Sequence, residues 1–65
     1  MTSLPKPKAY LTFPEAVQVW QHRWEGEFQH HIAAYFGVNP ARVNEVLKER
    51  THLGSREAAL RGDVA

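Results

Sequence analysis

Residues 29–48, QHHIAAYFGVNPARVNEVLK, decide how this 65-residue chain folds. Ile32, Ala33 and Phe36 recur at helical spacing ahead of Gly37, and Val43, Val46 and Leu47 do so after it. Glycine at position 37 suits the left-handed residue that closes a helix. Asn39 is a favoured N-cap residue, and Pro40 follows at the first helical position, where a missing N–H costs nothing. The stretch therefore predicts two helices, roughly 27–36 and 40 to 50–52, around a tight turn. Phe28, Ile32, Ala33 and Phe36 form the expected inward stripe of the first, and Val43, Val46 and Leu47, continued by the stem of Arg50, that of the second.

Upstream, Thr12-Phe13-Pro14-Glu15 starts another helix. Thr12 can cap, Glu15 stands three residues on as its capping-box partner, and Pro14 is tolerated in the first turn. Phe13, Ala16, Val17, Trp20 and Trp24 fall on its inward face, Val19 falls on its outer side, and Gly26 stops it. The spacing of the tryptophans favours packing over a stacking platform for bases. Pro5 and Pro7, interleaved with Lys6 and Lys8, make residues 1–11 an extended arm. Downstream, Ser55 caps a short segment, 55–61, carrying Ala58, Ala59 and Leu60, and residues 62–65 read as a tail. The expectation is an all-α protein: a compact three-helix domain over residues 12–61 with a short C-terminal helical segment.

A chain of this length buries only about 60% of the surface its unfolded form exposes. With no cysteine, helix packing has to supply its stability. Net charge is +1, with a small basic bias after residue 38, where five cations face four anions. No apolar run approaches the ~20 residues that span a bilayer. The opening MTSLPKPKAY lacks the apolar region of a signal peptide, so the expected setting is cytoplasmic.

The pattern I-A-x-x-F-G-V followed by V-x-x-V-L resembles the helix-turn-helix domains of bacterial and phage regulators over residues 29–50. With the preceding helix, the likeness extends over residues 11–54 as a three-helix unit. The resemblance implies sequence-specific binding of double-stranded DNA through the major groove, as a transcriptional regulator such as a repressor, with Ala33 at the close approach of the two helices and Gly37 in the turn. It implies base contacts from Ala41, Arg42, Asn44, Glu45 and Lys48, since Asn44 suits adenine, Lys48 guanine, Glu45 cytosine and Ala41 a thymine methyl. Phosphate contacts fall to Gln29 at the start of the second helix, to Asn39, and to Arg50, Thr51, His52, Ser55 and Arg56 beyond the third. Pro40 departs from relatives that place a polar base reader there, which removes one contact. The arm reads as a linker or as a groove-inserted extension. A homodimer on DNA is expected, pairing through Ala58, Ala59 and Leu60 or through the outer side of the first helix around Val19.

The alternative use of the same three-helix fold is protein docking, as an adaptor or antirepressor. The outer residues of the third helix also have a plain reading as a solvated face, with Glu45, Lys48 and Glu49 in intrahelical pairs. Enzymatic chemistry is not expected, because neither a nucleophile elbow nor a phosphate-cradling glycine loop occurs. Adjacent His30 and His31 point about 100° apart on a helix and no H-x-x-x-H pair exists, so no metal is expected. Nothing suggests a cofactor or a small-molecule ligand.

Overall fold

The computed structural model describes residues 8–62. Among them the chain is all-helical, with α1 (Phe13–Trp24), α2 (Gln29–Phe36), α3 (Pro40–Leu47) and α4 (Ser55–Leu60). Most of the expected arm, residues 1–7, and most of the expected tail, residues 63–65, lie outside the described residues.

α1 opens on the capping box that its sequence predicts. The Glu15 N–H donates to the Thr12 hydroxyl at 3.3 Å, and the Thr12 N–H donates to the Glu15 carboxylate at 2.9 Å. The same carboxylate pairs with the Lys8 ammonium. Partial burial works against the Glu15 charge, but Lys8 and the Thr12 backbone and side chain outweigh it and hold its pKa below the ordinary carboxylate value.

The core runs through all four helices. Ala16, Val17, Val19 and Trp20 come from α1, Ile32, Ala33 and Phe36 from α2, Val43 and Val46 from α3, and Ala58 and Ala59 from α4, joined by Leu11 and Val38. Leu47 packs partly buried against the same cluster. α1 touches each of the other helices, and α2 packs on α3. Ala33 is among the most buried residues, as a close approach between helices requires.

Several expectations need correction. Val19, placed by periodicity on the outer side of α1, is fully buried, because α1 packs against all three other helices and is covered on more than one side. Ala58 and Ala59 are buried in the chain's own core, so they are not available to pair protomers, and α4 is a fourth structural helix rather than an appendage. Only Leu60 of that apolar trio is exposed. Phe28 is 63% exposed: it occupies the extended N-cap position of α2, and the helix starts at Gln29 rather than 27. Phe13 and Trp24, the first and last residues of α1, are exposed as well, Trp24 tilting against Trp20 with 5.8 Å between ring centroids. α3 ends at Leu47, several residues early, and Arg50 is exposed rather than part of the inward stripe.

Candidate nucleic-acid interface

The turn between α2 and α3 is built from backbone hydrogen bonds. Gly37 adopts φ 71° and ψ 35°, its N–H donates to the Ala34 carbonyl at 3.2 Å, and the Val38 N–H donates to the Ala33 carbonyl at 3.0 Å. This Schellman pair satisfies carbonyls that the end of α2 would otherwise orphan. Two residues later the Ala41 N–H donates to Asn39 Oδ1 at 2.8 Å, capping α3 with Pro40 in its first turn. A rigid turn of three residues thereby fixes α3 relative to α2.

With Val43 and Val46 buried, α3 turns Ala41, Glu45 and Lys48 outward, and Arg42 and Asn44 lie on its two flanks. Ala41 and Lys48 are exposed and the other three are half-buried. Asn44 Nδ2 donates to Gln29 Oε1 at 3.3 Å, tying α3 to the first residue of α2. Arg42 donates to the Glu45 carboxylate at 3.0 Å, while its Nε is buried with no partner among the described residues. Three of the five expected base readers therefore sit in side-chain pairs whose donors and acceptors are of the kind that base edges offer.

The expected phosphate contacts divide. Gln29 stands at the start of α2, where Phe28 supplies no side-chain cap and the first turn holds no acidic residue. Arg50 and Arg56 are exposed, the latter with its guanidinium 6.0 Å from the Trp20 ring. Asn39 commits its side chain to the cap of α3. Thr51 is half-buried beside the His52 ring. His52 Nε2 donates to the Leu11 carbonyl at 2.8 Å, a contact that anchors the segment entering α1. Ser55 is the clear correction: it is buried and its hydroxyl accepts from Trp20 Nε1 at 3.0 Å, so it locks α4 to α1 and presents nothing to solvent.

Two arrangements escape a reading along the sequence. Tyr10 packs its ring 5.8 Å from the Arg42 guanidinium, a contact between residues 32 positions apart for which no local pattern exists. His22, Glu25 and Glu27 bring three potential ligand atoms within 4.8 Å of one another, and His22 Nδ1 is 2.6 Å from Glu27 Oε2. The turn after α1 folds Glu27 back onto His22, so the set that could hold a cation arises from the chain reversal and not from histidine spacing. No helix among the described residues is long and apolar enough to cross a membrane.

In comparison with known proteins, no family model, no curated protein and no solved structure matches the chain.

Proposed function

We propose that the chain binds double-stranded DNA sequence-specifically, as a non-enzymatic regulator, with α2 and α3 acting as a helix-turn-helix and α3 laid in the major groove. The observation that carries this reading is the division of α3. Its inner residues Val43 and Val46 are sealed against α1 and α2, while its outer face, Ala41, Glu45 and Lys48 flanked by Arg42 and Asn44, offers donors, acceptors and a methyl group in one strip. Gln29 at the uncapped start of α2 supplies a phosphate contact beside that strip, and Arg50 and Arg56 supply charge beyond it. In the bound state the Arg42–Glu45 and Asn44–Gln29 pairs open or rotate, exchanging side-chain partners for base edges.

Pairing of two protomers on repeated half-sites belongs to the same reading, since one small module buries only ~600–1,000 Å² on DNA. The pairing surface excludes Ala58, Ala59 and Val19, all buried within the protomer.

Protein docking is favoured by a different observation: Phe28, at the N-cap of α2, and Tyr35 within the helix are largely exposed aromatic rings. Salt separates the two. The duplex-binding reading expects affinity for a labelled random duplex pool to fall steeply with salt, by about −0.9 in log–log slope per neutralised phosphate, with a few phosphates per protomer. Absence of duplex binding at low salt, or a salt-insensitive complex, contradicts it.

A further inference from the structure

Taken with the duplex-binding reading, on which it rests, the geometry points to Tyr10 as a second contact to the DNA backbone, on the flank of α3 opposite Gln29. Successive residues of a helix are about 100° apart, so Arg42 and Asn44 diverge to opposite sides of the buried Val43. Each flank has its own neighbour. Asn44 is hydrogen-bonded to Gln29 at 3.3 Å, and the Arg42 guanidinium lies 5.8 Å from the centre of the Tyr10 ring. The outward strip of Ala41, Glu45 and Lys48 is thus bordered by Gln29 on one side and by Tyr10 on the other. A helix seated in the ~12 Å major groove has a phosphate backbone on each side, so groups bordering it left and right meet different strands.

Tyr10 has the properties such a contact requires. It is 70% exposed, with its ring beside the Arg42 guanidinium. A phenolic O–H donates readily to a phosphate oxygen. It is also held in place: the Lys8 N–H donates to the Gly37 carbonyl at 2.8 Å, which ties the segment to the α2–α3 turn. On its other side Leu11 is buried and its carbonyl accepts from His52. A residue suspended between two anchored neighbours has lost most of its freedom before binding, which lowers the ordering cost of the contact. The ring also lies beside the Arg42 guanidinium, which donates to Glu45 at 3.0 Å, so Tyr10 and Glu45 together hold that arginine on its flank.

Phosphate-ethylation interference on a selected duplex, with the full chain and with Tyr10→Phe and Gln29→Ala, tests the assignment. With the unaltered chain, interfering phosphates are expected on both strands across each half-site. Tyr10→Phe, which removes one exposed hydroxyl, is expected to leave the melting temperature unchanged and to weaken binding about three- to tenfold on matched and mismatched duplexes alike. It should erase interference at a phosphate on the strand that Gln29→Ala leaves untouched. Interference confined to one strand, loss on the same strand as Gln29→Ala, or a Tyr10→Phe protein that binds as the unaltered chain does, overturns the role of Tyr10 while leaving duplex binding intact. If the unaltered chain binds no duplex at all, the underlying reading falls and this one with it.

Discussion

The two ends of α3 solve the same backbone problem in different ways. At its entrance, the chain reverses through Gly37 in the left-handed region, with the Schellman pair closing α2 and Asn39 and Pro40 opening α3. At its exit the same hydrogen-bond pattern recurs: the Glu49 N–H donates to Val46 and the Arg50 N–H to Glu45, both at 2.9 Å. Here, however, the left-handed residue is Glu49, at φ 56°, and His52 follows at φ 52°. Neither is a glycine, which enters that region without steric cost, although histidine is among the side chains found there more often than most. What holds the exit is distant in sequence: His52 bonds the Leu11 carbonyl, and Ser55 receives the Trp20 indole N–H. One turn is encoded by its own residues and the other is imposed by packing against α1.

Removing the tertiary support should produce the largest effect. Truncation after Gly54 deletes Ser55, Ala58 and Ala59, strands the Trp20 N–H and uncovers the α4 side of α1. A core in a domain of this size rarely supplies more than about 3–5 kcal/mol, so the truncated chain is expected to lose its cooperative thermal transition. A truncated protein that melts like the full chain would show α4 to be dispensable.

Gly37→Val attacks the locally encoded turn. An added Cβ meets nothing within 4 Å, so the cost is conformational alone, about 2 kcal/mol for a β-branched residue at φ 71°. An unchanged urea midpoint would mean that this turn is not held in the left-handed region.

At the exit, His52→Ala keeps the backbone demand but removes the donor to Leu11, at a cost of about 1 kcal/mol by the same measurement. Glu49→Gly should act in the opposite direction. It relieves the left-handed strain and is expected to stabilise the domain by up to about 1 kcal/mol, whereas destabilisation would place Glu49 outside that conformation.

The smallest effect concerns the cap of α1. The folded pKa of Glu15 is depressed, so its contribution to stability is complete above its ordinary value of 4.5 and is lost as pH falls through the lower, folded value. Between neutral pH and that acidic range Glu15→Gln should flatten part of the decline in melting temperature. Parallel profiles for the two proteins would dissociate Glu15 from acid stability.

The same contrast explains what the sequence made legible. Thr12 with Glu15, and Gly37 with Asn39 and Pro40, are local signals, and the helix boundaries they mark appear where expected. The early end of α3 was hidden because Lys48, Glu49 and Arg50 carry no stop signal, and the αL geometry at Glu49 lies beside a chain held by Leu11 and Trp20. Periodicity assigns one buried face to α1, and it missed Val19 because three helices pack around α1 and cover more than that face. In the candidate interface, the outward positions of Ala41, Glu45 and Lys48 followed from helical spacing. Ser55 was misplaced and Tyr10 overlooked because their partners, Trp20 and Arg42, lie 35 and 32 residues away.

The central proposal, that α3 reads base edges while Gln29 holds a phosphate, is tested most directly by selecting bound sequences from a random duplex pool. The unaltered chain, Asn44→Ala, Lys48→Ala and Gln29→Ala are selected in parallel. The account predicts an enriched motif for the unaltered chain, loss of preference at one base-pair position each, worth about 1–3 kcal/mol, for Asn44→Ala and Lys48→Ala, and the unchanged motif at lower affinity for Gln29→Ala. No enriched motif, or three variants that lose affinity uniformly, would contradict it.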